Sequence, residues 1–200
     1  LGKDFINDIK KSGAKFLCIP TNEGPPTARC TIFVTEDGER TMVTFLGASV
    51  NLQKKNIKQE YFKNVSILII EGYLWSSEVA RESIKKAINF AKNFNIKVVF
   101  SLSDPGLVKL FKNDFIDFIY SDVDVLIGNC LEFQSLLEEK NEKDLAIKLD
   151  ELVELAVVTN GEKESRAFKN KEIFRCESLK NITIIDTTGA GDMFAAGFFF

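Results

Sequence analysis

The chain is 200 residues long, 45% apolar and 28% charged, with a net charge of −3. This is the composition of one soluble globular domain with a sizeable core, and it excludes disordered and fibrous classes. Lys and Glu are interspersed without a basic stripe, so nucleic acid is not an expected partner.

Runs such as Ile67-Leu68-Ile69-Ile70 are far too short to span a bilayer, and no charged-then-apolar leader opens the chain. No membrane partner is expected. The four cysteines, Cys18, Cys30, Cys130 and Cys176, form no Cys-x-x-Cys pair. That pattern fits reduced thiols in a cytoplasmic protein rather than a zinc site or a disulfide framework. Histidine is absent, which removes imidazole as a base or ligand and leaves a carboxylate, a lysine or a cysteine for any general-base role.

In chain order, residues 1–11 read as a short amphipathic helix with Phe5, Ile6 and Ile9 on one side. After the Pro25-Pro26 break, two β-rich runs flank Asp37-Gly38, which predicts a hairpin. From residue 51 the rhythm alternates. Strands are predicted at 65–70, 97–102, 123–127, 155–159 and 182–185, and helices at 78–94, 131–139 and 142–152. Asp104-Pro105 has the form of a cap followed by proline at the first helical position, and a second hairpin is expected around Lys169-Asn170-Lys171. A last helix starts at Gly189. The order implies a mostly parallel sheet with helices on both faces, whose ligands lie beyond the C-terminal strand ends. The chain opens inside a helix and ends on Phe198-Phe199-Phe200 without a stop signal. It therefore reads as a single domain over 1–200, cut at both ends, with the three aromatics in a buried helix that continues.

Three segments carry candidate chemistry. In Asp186-Thr187-Thr188-Gly189-Ala190-Gly191-Asp192 a small-residue turn opens an apolar helix. Its first-turn N–H groups and dipole suit an anion, the glycines permit close approach, and Asp192 lies where it could take a proton from an attacking hydroxyl. The same residues also fit a plain capped helix start. Asn129-Cys130-Leu131-Glu132 is close to a capping box. Thr159-Asn160-Gly161 ends a strand in a turn.

The first segment resembles the C-terminal signature of the ribokinase-like (PfkB) carbohydrate kinase family, Asp-Thr-x-Gly-Ala-Gly-Asp before an apolar helix. The resemblance covers essentially the whole chain. It implies a three-layer α/β/α ribokinase-like fold, with a mostly parallel sheet and a small β lid within about residues 15–46. It implies Asp192 as catalytic base and Gly189, Ala190 and Gly191 as the anion hole. It also implies ATP and Mg2+ as cofactors, with Thr188 on the nucleotide side. Asn129 and Glu132 match the family's Asn-x-x-Glu, which organises magnesium and phosphate largely through water, so Glu132 is the expected metal-side carboxylate. Thr159 and Gly161 match its Val-Thr-x-Gly phosphate loop, except that Glu164 stands where members often carry another glycine.

Residues 24–30, Glu39-Arg40-Thr41-Met42 and Leu46-Gly47-Ala48 resemble the lid of adenosine kinase-like members. Arg29 and Arg40 are the implied sugar or phosphate contacts, and the lid supports a homodimer in some members. Glu71-Gly72-Tyr73-Leu74-Trp75 is the expected wall of the core and substrate cleft. The implied activity is ATP-dependent phosphorylation of a primary hydroxyl on a nucleoside or sugar, adenosine-like substrates favoured. A fructokinase- or ribokinase-type sugar kinase and a non-catalytic sugar- or nucleotide-sensing relative are the rivals. A dinucleotide-binding protein is disfavoured, because its glycines follow the first strand and these follow the last.

Overall fold

A computed structural model describes residues 2–36 and 40–200, with only the backbone of Arg40. The expected Asp37-Gly38 turn, Glu39 and the Arg40 side chain lie outside the described residues.

Helix α1 spans Gly2–Lys11, acidic in its first turn and basic in its last, as the helix dipole favours. Strands β1 (Arg29–Val34) and β2 (Arg40–Phe45) form the predicted hairpin, pairing antiparallel from Arg29↔Phe45 to Val34↔Arg40. This two-stranded sheet stays separate from the main one. Short 3-10 turns then lead to the alternating part.

Strand β3 (Ile67–Glu71) feeds α2 (Glu78–Asn93), capped by Ser77, whose side chain accepts from the Ala80 N–H. Ala80, Ile84, Ala87, Ile88 and Ala91 recur at helical spacing and are buried along one stripe. Strand β4 (Lys97–Ser101) leads to α3 (Pro105–Leu110) and α4 (Lys112–Asp122). Asp104 caps α3 by accepting from Leu107 N–H, with Pro105 at its start as expected. Strand β5 (Val125–Asn129) runs into α5 (Cys130–Leu137). Then α6 (Glu142–Leu152), capped by the Asn141 side chain, precedes β6 (Leu155–Thr159). The hairpin β7 (Glu164–Lys169) and β8 (Glu172–Glu177) and the helix α7 (Ala190–Phe199) complete the chain.

The main sheet has the order β3-β4-β5-β6-β7-β8. Its first four strands are parallel, and β7 and β8 run antiparallel to their neighbours. Side-chain alternation sorts its two faces. Val98, Phe100, Leu126, Ala156 and Val158 join the large core under α2 to α6. Val99, Ile127 and Val157 point the other way, to Phe194, Ala195 and Phe199 of α7. That gives three layers, in agreement with the α/β/α expectation. Trp75 anchors the larger core, its ring 4.7 Å from Phe118 and edge-on to Phe115 at 5.5 Å.

Two expectations are corrected. Residues 182–185 form no strand: neither sheet includes them, and Ile182, Ile184 and Ile185 face solvent. An apolar run becomes a strand only where a neighbouring edge completes its ladder, and residues 182–185 pair with no described strand. The closing aromatics are not buried either. Phe199 packs on the sheet cluster, whereas Phe198 and Phe200 are exposed.

Candidate functional site

Because β3 to β6 are parallel, their C-terminal ends make one rim, where open α/β sheets hold ligands. Glu71 closes β3, and Ser103 and Asp104 follow β4. Asn129 closes β5 and Thr159 closes β6. The strand register places Asn129 directly beside Thr159, whose hydroxyl donates to the Gly128 carbonyl at 3.4 Å.

At the centre of the rim, Asn129 and Glu132 form a reciprocal capping box. The Asn129 Oδ1 accepts from Glu132 N–H at 3.0 Å, while Asn129 N–H and Nδ2 donate to the two Glu132 carboxylate oxygens, each at 2.8 Å. Glu132 is only 5% exposed. Burial pushes its carboxyl up to about 7, against the Asn129 hydrogen bond, and the carboxylates of Asp104 and Glu71 add to the rise. A buried carboxylate with acidic neighbours and, among the described residues, no cationic side chain bonded to it is a seat that a cation would relieve. Among the described residues no three Asp, Glu or Cys side chains converge as a direct metal cage. A magnesium ion that keeps most of its waters needs none, so the donors present fit it.

Gly128 is required by this arrangement. A Cβ there would fall 2.6 Å from the Glu132 Oε2 and 3.1 Å from Leu102 Cδ1. Gly128→Ala is therefore expected to displace the carboxylate and destabilise the fold by about 1–3 kcal/mol, read by urea unfolding.

The 186–192 segment lies within electrostatic reach of the same rim, Asp192 being one of the charges felt by Tyr73. Asp186 organises the turn, with Oδ1 accepting from Thr188 N–H at 2.8 Å and from the Thr188 hydroxyl at 2.7 Å. Gly189 caps α7 in a left-handed conformation (φ 75°), which a side chain would strain. Ala190 N–H donates to the Thr187 carbonyl at 3.1 Å. The N–H groups of Gly189, Gly191 and Asp192 have no partner among the described residues, so the open donors include Asp192's own amide. Asp192 stands in that first turn, exposed.

Tyr73 ties the pieces together. Its hydroxyl donates to the Ser103 carbonyl at 2.9 Å. Burial raises its phenol, and the negative charges of Asp104, Glu132, Glu71 and Asp192 raise it further. Ser103, itself left-handed at φ 69°, donates through its hydroxyl to Glu71 Oε2 and accepts from Gly72 N–H, each at 2.9 Å. Glu71 and Tyr73, read from sequence only as cleft wall, and Ser103 and Asp104, given no role in the site, are thus rim residues. Sequence showed Asp104 as a cap, which it also is. Only the strand order brings them beside Glu132.

Gly161 is left-handed at φ 56°, and its carbonyl accepts from the Ser178 hydroxyl at 3.4 Å. Glu164 pairs with Arg175 at 2.6 Å. Arg29 lies exposed on the lid, its guanidinium 5.6 Å from the centre of the Phe45 ring. No described contact joins it to the rim.

A parallel-sheet rim of buried acid and polar caps, with a helix start whose N–H donors are open, defines an α/β protein with its candidate site at the C-terminal strand ends. The chain belongs to the pfkB carbohydrate kinase family, whose model matches residues 1–199.

Among relatives, 5-dehydro-2-deoxygluconokinase of Bacillus subtilis (strain 168) is 26% identical over 161 residues, covering 76% of this chain and 49% of that protein. Adenosine kinase from Sinorhizobium meliloti superposes with a TM-score of 0.94 at 35% identity, covering 98% of this chain and 61% of that one. A probable sugar kinase from Rhizobium etli CFN 42 superposes with a TM-score of 0.93 at 33% identity, over 98% and 60%. The chain spans about half the length of the curated relatives it matches first. Kinases of this family use ATP. No described helix is long and apolar enough to cross a membrane.

Proposed function

We propose that the protein is an ATP-dependent kinase that phosphorylates a primary hydroxyl of a nucleoside or sugar, adenosine-like nucleosides being favoured. The observation that carries this is the open first turn of α7, where Asp192 stands beside N–H groups without partners among the described residues and within electrostatic reach of the rim residue Tyr73. Asp192 takes the proton of the attacking hydroxyl. The Gly189-Ala190-Gly191 turn, with the Asp192 amide, receives the charge that develops on the transferred group.

When bound, ATP would supply the phosphoryl group, with ADP as the leaving group, and Mg2+ would neutralise charge on the nucleotide's phosphate oxygens. Asn129 and Glu132 would hold the ion through its waters, and the rim acids Glu71 and Asp104 would add negative potential. Thr159, Gly161 and Thr188 would border the nucleotide phosphates, and Arg29 and Arg40 are the residues assigned to the acceptor or its phosphate. The ordered capping box matters most here. It fixes the buried carboxylate before substrate arrives, so little reorganisation remains at the transfer step.

Family membership and likeness to an adenosine kinase at 35% identity support the nucleoside reading. The nearly equal likeness to a probable sugar kinase favours the second reading, a ribokinase- or fructokinase-type enzyme. A panel of adenosine, ribose, fructose and 5-dehydro-2-deoxygluconate with the full-length protein separates them by ADP release. The favoured reading expects adenosine to give the highest kcat/KM by about tenfold or more, as one site-matched set of hydroxyls and ring nitrogens demands. A higher value for any of the sugars overturns it, and no transfer to any acceptor sinks the kinase reading itself.

A further inference from the structure

Arg166 lies on β7, opposite Val158 of β6 and Arg175 of β8. Its side chain is only 11% exposed. One end of the guanidinium, Nη1, meets Glu142 Oε1 at 2.5 Å, and Nη2 donates to the Cys130 sulfur at 2.9 Å. The Nε, 3.7 Å from Glu164, has no hydrogen bond among the described residues. Arg175, 43% exposed, bonds the same two carboxylates, Glu142 at 2.5 Å and Glu164 at 2.6 Å. Two arginines and two glutamates thus clamp the β7–β8 hairpin to the first turn of α6.

The two arginines differ in one respect. Arg175 serves the clamp alone, from an exposed position that costs little desolvation. Arg166 is buried with one donor left unpaired, an unfavourable placement for a residue needed only for stability. What it alone reaches is Cys130, the first residue of α5, between Asn129 and Glu132. The planar fork cannot swing away from the sulfur while Glu142 holds its other end. The strand leading from Thr159 and Gly161 is thereby braced against the turn that carries the buried carboxylate.

We propose that Arg166 is a positioning residue: through the Cys130 sulfur it keeps the Asn129–Glu132 turn in register with the Thr159–Gly161 loop, and so sets how well the site holds magnesium-bound nucleotide. This rests on the kinase reading of the same rim.

The test is ADP binding by calorimetry to the full-length protein, with excess Mg2+ and with EDTA. Arg166→Met should weaken binding in Mg2+ by about tenfold or more, the range of residues that orient metal-side groups, and leave binding in EDTA nearly unchanged. Arg166→Lys should recover part of the loss, a point charge reaching one partner instead of two. Cys130→Ala spares the charge quartet, carries the same expectation, and serves should Arg166→Met not fold. Arg175→Met removes the exposed half of the clamp without touching Cys130 and should keep the Mg2+-dependent affinity.

Equal losses in Arg166→Met and Arg175→Met, equal losses with and without Mg2+, or no loss in Arg166→Met would each overturn the proposal. So would an unsubstituted protein whose ADP binding ignores Mg2+. A protein that binds Mg-ADP as described but transfers no phosphoryl group overturns the kinase reading and leaves the positioning role standing.

Discussion

Asp192→Asn in the full-length protein is expected to lower turnover by about a thousandfold, the scale of a lost general base, with the melting temperature almost unchanged. The two halves of this expectation have separate causes. Asparagine keeps the shape of the side chain and the helix start but cannot accept a proton at neutral pH. The attacking oxygen would then enter the transition state still protonated. Stability is spared because Asp192 is exposed in the first turn of α7. There the substitution forfeits only a favourable interaction with the helix dipole, less than about 1 kcal/mol. Affinity for magnesium-bound nucleotide should stay near that of the unsubstituted protein, since the amides of Gly189, Gly191 and residue 192 remain. A fall in kcat without a matching change in nucleotide binding marks an interaction made in the transition state. Turnover near that of the unsubstituted protein would remove Asp192 from the mechanism.

The parts that were legible in the sequence are those whose cause is local. The helix expected over 142–152 matches α6 to the residue, and the Leu155–Thr159 strand is a short apolar run bounded by a charged residue and a turn. The segments at 129–132 and 186–192 could be read because each is contiguous, with its cap, turn and helix start following one another along the chain. Residues 182–185 misled for the opposite reason. Their apolar pattern is genuine, but a strand needs a partner edge, which the pattern does not record. The rim beyond the motifs was hidden likewise. Glu71, Ser103 and Asp104 meet Glu132 only through the order β3-β4-β5, and Arg166 meets Cys130 across 36 residues. Histidine-free composition narrowed the base to a carboxylate, a lysine or a cysteine. It could not say which of the acids at the rim would be buried and which would stand free.

That difference in burial gives the second large effect, at Glu132. In the folded protein its carboxyl titrates at about 7, against an ordinary value of 4.5. A carboxylate with a raised folded pKa favours the folded state fully below about pH 4.5. It loses that contribution as pH climbs to about 7, beyond which the loss is complete, at most about 3 kcal/mol. Glu132→Gln stays uncharged throughout, so it avoids this loss. It gives up one of the two hydrogen bonds from Asn129, because its amide nitrogen cannot accept where a carboxylate oxygen did; that costs about 1 kcal/mol. Relative to the unsubstituted protein the variant should therefore be slightly less stable at pH 4.5 and more stable by about 1–2 kcal/mol at pH 8. The sign should change in between. Urea unfolding of both proteins across that range, without divalent metal, reads the difference directly. Activity should move the other way: with no charge to draw the ion's waters, turnover at saturating ATP should fall by about a hundredfold, and extra Mg2+ should restore little of it. Stability gained and transfer lost in one substitution is the signature of a carboxylate kept buried for a cation. A variant with equal or lower stability at pH 8 and unimpaired turnover would show that Glu132 is a helix cap and nothing more.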